Sequence, residues 1–212
     1  MSLIDSLIKD KWLKTPIIIE AFRKVKRKDF MLARQSPEGV GGQEVEILAE
    51  INQAMPISSG QTISQPLTVA FMLEQLQPKR GDNILDVGSG SGWTTALLAY
   101  IIGENGKVIA IEIIPELKDF GEKNVSKYNF IKKGIAKFIL QDGSLGYNKE
   151  APYDKILVSA SAQKVPTALK EQLKIRGRMV IPIAESIFTI IKKSEKDFEQ
   201  IEHPGFVFVP LV

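Results

Sequence analysis

A glycine-rich loop with an acidic residue just before it is the most distinctive chemical feature of the sequence. Residues 84–92 read Ile-Leu-Asp-Val-Gly-Ser-Gly-Ser-Gly, so Asp86 precedes a loop that contains Gly88, Ser89 and Gly90. Glycines in such a loop let the backbone approach a ligand closely and adopt positive φ angles. The spacing differs from the Gly-x-Gly-x-x-Gly of dinucleotide folds, and no Lys-Ser or Lys-Thr follows as in a phosphate-binding loop. The loop therefore disfavours a phosphate-bearing cofactor.

Two further acids follow the loop, and the three match the parts of one ligand. Asp86 would repel a pyrophosphate but attract the cationic amino end of S-adenosylmethionine, directly or through water. Glu112 lies about 20 residues after the glycines, where a carboxylate binds a ribose diol. Asp142, followed by Gly143, can accept a hydrogen bond from an adenine amino group. We expect these residues to bind S-adenosylmethionine, although each acid alone also fits an ordinary loop, strand end or turn.

A regular alternation of strand and helix patterns positions these residues. The predicted strands are residues 83–87, 107–112, 136–140, 155–160 and 178–182. The predicted helices are residues 66–77, 93–102, 115–129 and 166–173. This order is typical of a parallel sheet with crossover helices, which binds ligands at the carboxyl ends of its strands. We therefore predict an α/β fold of the Rossmann-like, doubly wound type with a mostly parallel sheet.

The two ends of the chain depart from this alternation. Apolar spacing predicts two short helices between residues 3 and 25, with Pro16 opening the second, and a further helix at residues 44–53 within a mostly irregular stretch, residues 36–60. Strand patterns without intervening helices predict an antiparallel C-terminal end, at residues 188–193, 198–202 and 206–211.

The alternation also predicts a single domain, because no linker divides the chain. We expect one domain over residues 1–212, with three parts that differ in role. They are the N-terminal helices and active-site loop at 1–65, the cofactor-binding core at 66–185 and the C-terminal strands at 186–212.

Composition limits the class of protein. The chain has 212 residues, 44% of them hydrophobic and 25% charged, with a net charge of +3, which is typical of a globular protein and too small to imply a polyanionic partner. The absence of cysteine excludes disulfides, thiolate metal sites and a cysteine nucleophile. The longest apolar run, residues 94–102, is shorter than the roughly 20 residues of a membrane-spanning helix. We expect a cytoplasmic protein that holds no metal.

Four segments carry narrower motifs. They are Gly-Gln-Thr-Ile-Ser-Gln-Pro at 60–66, Leu-Asp-Val-Gly-Ser-Gly-Ser-Gly-Trp-Thr at 85–94, Gln-Asp-Gly with Gly-Tyr and Ala-Pro-Tyr-Asp between 141 and 154, and Phe-Val-Pro-Leu at 208–211. Together they resemble the protein-L-isoaspartate O-methyltransferase family of class I S-adenosylmethionine enzymes. The resemblance implies an enzyme that methylates the free carboxylate of isoaspartyl residues in damaged proteins and so initiates their repair.

The resemblance also implies roles for individual residues. In the family, the Gly-Gln-Thr-Ile-Ser-Gln-Pro segment lies over the cofactor, which places Thr62 and Ile63 against it, and its serine, here Ser64, belongs to the active site. The residues implied to contact the peptide are Gln61, Ser64, Val209 and Pro210. The family's last strand helps to form the peptide groove by backbone pairing. From its spacing alone, Ser64 is better explained as an N-cap or ST-turn before the helix at Pro66, and only the resemblance favours the active-site role.

A carboxylate substrate makes simple demands on the enzyme. Its pKa near 4 leaves it ionised at neutral pH, so no general base has to remove a proton. Charge is destroyed when the anionic oxygen attacks a sulfonium methyl, so excluding water favours the reaction. Ser64 would then orient the substrate carboxylate by a hydrogen bond without acting as a covalent nucleophile. The single histidine, His203, is expected at the surface.

Departures from the family pattern keep other interpretations open. Residues 51–56 replace a Tyr-x-Asp-x-Pro element, Trp93 stands where tyrosine is usual, and residues 159–163 replace an alanine run. The alternatives are a methyltransferase for an aspartate in a modified peptide, for a nucleic acid or for a small molecule, and a non-catalytic peptide-binding module. The basic run at residues 23–28 would suit nucleic acid phosphates, but such runs are usually solvated helix ends, which makes a nucleic acid partner unlikely.

Overall fold

The computed structural model describes residues 1–32 and 41–211. The helices are α1 (Leu3–Lys9), α2 (Pro16–Lys24), α3 (Gly41–Ala49), α4 (Pro66–Leu76), α5 (Trp93–Ile102), α6 (Pro115–Ser126) and α7 (Thr167–Gln172). The strands are β1 (Met55–Pro56), β2 (Thr62–Ile63), β3 (Asn83–Val87), β4 (Lys107–Glu112), β5 (Ala136–Leu140), β6 (Tyr153–Val158), β7 (Leu173–Ile183), β8 (Ser186–Lys192) and β9 (Phe198–Pro204).

Seven of these strands form one mixed sheet. Their order is β5-β4-β3-β6-β7-β8-β9. The first five strands are mutually parallel, β8 pairs antiparallel with β7, and β9 pairs antiparallel with β8. The predicted mostly parallel sheet with an antiparallel C-terminal end is thereby confirmed. The order reverses between β3 and β6, which is where doubly wound sheets bind ligands.

The core lies on both faces of this sheet, because successive side chains of a strand point to opposite faces. In β3, Ile84 packs into one buried cluster with residues of α1, α2, α4, α5 and α6, whereas Leu85 and Val87 pack into a second cluster with Leu169 of α7. Burial on both faces explains why β3 and β4 read as nearly continuous apolar runs in the sequence.

Several predicted boundaries differ from those in the structure. β6 begins at Tyr153 and ends at Val158, two residues earlier than predicted, and β7 extends the predicted 178–182 strand in both directions. α6 stops at Ser126, and Asn129, which was predicted to be helical, has a positive φ of 62°. The helix predicted at 44–53 is α3, which ends at Ala49. Residues 36–40 of the predicted irregular stretch lie outside the described residues.

The strand predicted at residues 206–211 is wrong. β9 ends at Pro204, and Gly205, with a φ of 95°, turns the chain back across the carboxyl ends of the parallel strands. Pro210 pairs with Ser161 in a single isolated parallel bridge. In this bridge the Ser161 N–H donates to Val209 O at 2.8 Å, and the Leu211 N–H donates to Ser161 O at 2.8 Å. Pro210 has no N–H to extend a ladder. The segment therefore covers the site without belonging to the sheet.

Candidate active site

The glycine loop joins β3 to α5 in a conformation that requires glycine. Gly88, Gly90 and Gly92 have positive φ values of 75°, 51° and 86°. A Cβ on Gly92 would lie 2.7 Å from Gly121 O, so the loop and α6 can approach this closely only with glycine at that position. The N–H groups of Gly88 and Ser89 both donate to Ile111 O, at 2.9 and 3.0 Å, which ties the loop to β4.

A cavity, here called the main cavity, opens above this loop at the carboxyl ends of β3, β4 and β6. Of the predicted site residues, those that line it are Gln61, Thr62, Ile63, Ser64, Gly88, Ser89, Gly90, Glu112, Gly143, Val209 and Pro210. The two predicted residues that do not line it are Asp86 and Asp142. The structure therefore brings together, around one cavity, segments that are more than 140 residues apart in the chain.

Glu112 closes one side of the main cavity and also holds the glycine loop. Its Oε2 accepts the N–H of Gly90 at 2.9 Å, and its Oε1 accepts the N–H groups of Ile113 and Ile114 at 2.9 and 3.1 Å. Two carboxylate oxygens offer about four acceptor positions, so three donors leave room for a ribose hydroxyl. Its ribose contact stays a prediction.

Asp86 lies beneath the loop and supports the first turn of α5. It is fully buried, and its Oδ2 accepts hydrogen bonds from the hydroxyls of Thr95 and Thr94, at 2.6 and 3.1 Å. Burial, together with the nearby charge of Glu112, raises the pKa of this carboxyl to about 6, although the two threonine hydrogen bonds oppose the shift. Its Oδ1 has no hydrogen-bond partner within the described chain. This oxygen remains available for a water-mediated contact with a cation in the main cavity.

Asp142 caps a short 3-10 turn, as the interpretation from turn statistics predicts. Its Oδ1 accepts the N–H of Ser144 at 2.8 Å at the start of the turn Gly143–Leu145. Gly143 forms part of the cavity wall, where a Cβ would collide with Cγ1 of Val87. The turn therefore fits closely against β3, while the adenine contact of Asp142 stays a prediction.

Ser64 is not the N-cap of α4. That position belongs to Gln65, whose side chain does not cap the helix. Asn52 acts instead from outside the helix: its Oδ1 accepts the N–H of Leu67 at 3.0 Å, and its carbonyl accepts a hydrogen bond from Gln65 Nε2 at 3.0 Å. Among the described residues the Ser64 hydroxyl has no hydrogen-bond partner. It is therefore free to bind a ligand.

A second cavity, here called the side cavity, adjoins the main cavity. Its lining includes Gln65, Thr68 and residues 207–209. The residues that line both cavities are Thr62, Ser64, Ser159 and Val209. These four residues mark the junction of the two cavities. A group in the side cavity can reach a group in the main cavity only past them.

Ser159 is a junction residue that the sequence analysis did not select. It follows directly after β6, whereas the strand predicted at residues 155–160 included it. Its N–H donates to Val87 O at 2.9 Å, and its hydroxyl has no partner in the described part of the chain. A strand boundary at Val158 would have placed this hydroxyl at the carboxyl edge of the sheet, where ligands bind.

Two other predictions concern side chains outside the main cavity. His203 lies away from both cavities: its Nε2 is 3.2 Å from the Thr189 hydroxyl, and its ring packs edge-on against Phe71. The basic run at 23–28 is not a uniformly solvated helix end, because Arg27 is only 6% exposed. Arg27 therefore contradicts the prediction for that run.

The structure also bears on metals and membranes. Within the described chain, no cluster of three His, Asp or Glu side chains is arranged to hold a metal ion. No helix in residues 1–32 and 41–211 has the length and apolar character needed to cross a bilayer. The residues at and beneath the main cavity do fit S-adenosylmethionine, because the buried Ser89 hydroxyl and Asp86 Oδ1 lie beside a glycine loop and have no partner among the described residues.

Comparison with known proteins gives consistent matches. The family model for protein-L-isoaspartate(D-aspartate) O-methyltransferase matches residues 1–212. The chain is 37% identical to a protein-L-isoaspartate O-methyltransferase of Methanopyrus kandleri, over 99% of this chain and 89% of the relative. It is 43% identical to protein-L-isoaspartate O-methyltransferase 2 of Archaeoglobus fulgidus, over 92% of this chain and 84% of the relative.

Solved structures show the same architecture. A crystal structure from Plasmodium falciparum, described as a protein-L-isoaspartate O-methyltransferase in complex with S-adenosyl-L-homocysteine, superposes with a TM-score of 0.85 at 25% identity. The superposition covers 99% of this chain and 96% of the Plasmodium chain. The similarity therefore includes the N-terminal helices and the segment after β9 as well as the sheet.

Proposed function

The chain belongs to the protein-L-isoaspartate(D-aspartate) O-methyltransferase family, and we propose that it methylates the free carboxylate of isoaspartyl residues in damaged proteins, with S-adenosylmethionine as donor. The observation that carries this proposal is the junction of two cavities beside a free serine hydroxyl. One cavity has the glycine loop and acids of a methyl-donor site, and the other is open to a peptide. We place the enzyme in the cytoplasm, with isoaspartyl peptides and proteins as its partners.

The main cavity would hold the cofactor by its own backbone and acidic groups. Glu112 would bind the ribose, the loop of Gly88, Ser89 and Gly90 would accommodate the amino acid portion, and Asp86, beneath the loop, would supply negative charge. Gly143 allows the adenine end to lie close to the strand ends. When bound, the cofactor supplies an electrophilic methyl group on a sulfonium. Binding by fixed groups aligns this methyl, an effect that is worth about 7 to 11 kcal/mol in model reactions.

The junction residues would hold the substrate carboxylate. The residues Ser64 and Ser159 line both cavities, and their hydroxyls have no hydrogen-bond partner within residues 1–32 and 41–211, so each would donate to the substrate carboxylate. The carboxylate is already ionised at neutral pH, and neither cavity is lined by a histidine that could act as a base. The site therefore contributes alignment and water exclusion and no proton transfer.

The segment after β9 would hold the peptide backbone. Val207 is 85% exposed, and neither it nor Phe208 makes a backbone hydrogen bond to another described residue. Both residues line the side cavity. Free main-chain donors and acceptors can pair with a peptide of any sequence, which suits an enzyme that must accept many damaged proteins. We therefore keep the prediction that the peptide pairs with the backbone of this segment, although the segment is irregular and is not an edge strand of the sheet.

The test is methyl transfer to two peptides that differ only in having L-isoaspartate or L-aspartate at one position. We expect labelled methyl to appear as a base-labile ester on the isoaspartyl peptide alone. Calorimetry with S-adenosylmethionine is the companion measurement. Cofactor binding without transfer to either peptide would contradict the proposed substrate and direct the search to modified peptides, small molecules and nucleic acid. Ester formation on the aspartyl peptide at an equal rate would contradict the selectivity.

A further inference from the structure

Arg27 is a buried cation for which the proposed reaction has no role. It begins the short 3-10 turn Arg27–Phe30, and only 6% of it is exposed. Its guanidinium donates four hydrogen bonds, all to backbone carbonyls: to Leu48 at 3.5 Å, Ile51 at 3.0 Å, Gln53 at 2.7 Å and Ser64 at 3.2 Å. A buried arginine normally pairs with a carboxylate. Arg27 has no carboxylate partner among the described residues.

These contacts join two separate segments of the chain. Leu48, Ile51 and Gln53 belong to the end of α3 and the turn after it, while Ser64 follows β2. For the carbonyls of Gln53 and Ser64, Arg27 is the only hydrogen-bond donor that the described residues supply. Arg27 therefore connects the backbone on either side of the β1–β2 hairpin. Burial lowers the pKa of Arg27 to about 10, so the guanidinium remains charged at neutral pH.

The same guanidinium contacts the wall of the main cavity. Its central carbon lies 5.6 Å from the ring centroid of Trp93, within the range of a cation–π contact. Trp93 opens α5 and lines the main cavity. Arg27 thus touches the backbone of Ser64 on one side and, on the other, the aromatic ring that borders the main cavity.

We propose that Arg27 is a positioning residue for methyl transfer, which holds the Ser64 backbone against Trp93 so that the Ser64 hydroxyl stays at the junction of the two cavities. The role rests on the proposed function. Arg27 lies behind Ser64 and does not line either cavity. Its effect on the reaction is therefore transmitted through the carbonyl of Ser64. A planar guanidinium can bond several carbonyls at once, which a lysine ammonium on its flexible stem cannot do in the same geometry.

The test compares Arg27→Lys and Arg27→Met with the control Arg23→Met. Arg23 belongs to the same basic run, but its side chain is exposed and forms an ion pair with Asp5, at 3.8 Å. A misplacement of about 1 Å in an active site can cost about a hundredfold in rate. We expect kcat for the isoaspartyl peptide to fall about a hundredfold in Arg27→Met and about tenfold in Arg27→Lys. The affinity for S-adenosylmethionine should be unchanged in both, and Arg23→Met should behave as the wild type.

A rescue experiment separates positioning from a purely structural role. A cavity lined by Arg27, Phe22 and Trp93 opens to solvent beside the guanidinium, so Arg27→Ala should leave a space that free guanidinium can enter. Millimolar guanidinium should restore part of kcat in Arg27→Ala and leave Arg23→Ala unaffected. A structural role would instead lower the unfolding temperature and leave kcat per folded molecule intact.

Each outcome then has one meaning. If Arg27→Met does not fold, Arg27→Lys decides the question, because it keeps the charge. The positioning role would be overturned if folded Arg27→Lys had the kcat of the wild type. It would also be overturned if cofactor affinity fell by as much as kcat. A wild-type protein that does not methylate the isoaspartyl peptide would instead contradict the proposed function, and this control is run in the same assay.

Discussion

The two walls of the site are built in different ways. The cofactor wall consists of the ends of β3 and β4 with the glycine loop, and parallel ladders and fully buried side chains fix it. The peptide wall consists of residues 51–65 and 205–211, whose only regular elements are the two-residue strands β1 and β2. Side chains that bond to backbone from a distance hold it in place, chiefly Arg27 and Asn52.

This difference implies that the two walls can be disrupted separately. The cofactor wall shares its hydrogen bonds with the sheet, so a change there affects donor binding. The peptide wall depends on a few long-range contacts, so a change there should affect turnover while donor binding persists. The predictions below test that separation.

The largest effect is expected from Asp86→Ala, which should weaken cofactor binding by about thirtyfold to several thousandfold, since truncating one partner of a buried charge pair costs about 2 to 5 kcal/mol. Isothermal calorimetry measures the affinity. The control is Asp82→Ala, at the residue just before β3, whose Oδ2 accepts the Lys79 N–H at 2.8 Å. Asp86→Asn, which keeps acceptors for Thr94 and Thr95, checks that the loss is electrostatic. Equal loss of affinity in Ser64→Ala would contradict the separation of the walls.

On the peptide wall, Ser64→Ala should lower kcat/KM for the isoaspartyl peptide about thirtyfold and leave cofactor affinity unchanged. A hydrogen bond to a charged group contributes about 1.5 to 3 kcal/mol, which sets this magnitude. Steady-state methyl transfer measures it. Ser58→Ala, in the exposed turn of the same hairpin, is the matched control. Unchanged kcat/KM would remove the carboxylate-binding role of Ser64.

Cofactor affinity should also depend on pH through the cofactor wall. Burial raises the pKa of Asp86 to about 6, so this carboxyl becomes neutral as pH falls from 7 to 5 and no longer attracts the cofactor's cation. We expect affinity to fall about tenfold over that interval and to stay level in Asp86→Asn.

The stability of the free protein has the opposite dependence on pH. Because the folded-state pKa exceeds the ordinary 3.8, the contribution of Asp86 to the free energy of unfolding decreases as pH rises from 3.8 through about 6.

The smallest effect is expected from Asn52→Ala. Removing the side-chain acceptor of the Leu67 N–H should cost about 1 kcal/mol of stability, as the loss of a helix cap does. Urea unfolding measures this cost. Gln53→Ala is the neighbouring control, because Gln53 bonds to Arg27 only through its carbonyl. Cofactor affinity that changes in Asn52→Ala would show that the two walls are coupled.

The cofactor wall could be predicted from the sequence almost to the residue. β3, β4, β5 and α5 have the bounds predicted for them, because apolar runs buried on two faces and the glycines that end them are local signals. The peptide wall could not, because its determinants lie far apart in the chain. Arg27 looked like one charge in a solvated run, and Asn52 caps a helix that begins 14 residues later, at Pro66.

The strand predicted at 206–211 failed for a related reason. Phe-Val-Phe-Val has the composition of a strand, but Gly205 directs the chain away from β9, and only tertiary contacts show that. Ser159 was missed because its position depended on a strand boundary, and boundaries are set by the register with neighbouring strands. In both cases the local sequence is typical of a strand, and contacts with distant parts of the chain determine the structure that forms.

The return of the chain after Gly205 also has a consequence for biosynthesis. Residues 207–209 follow all seven strands of the sheet, so a ribosome delivers them after the cofactor wall has been made. A nascent chain can therefore fold its sheet and close its glycine loop while the surface that receives a peptide is still incomplete. The enzyme would become competent only after residues 207–209 have been made.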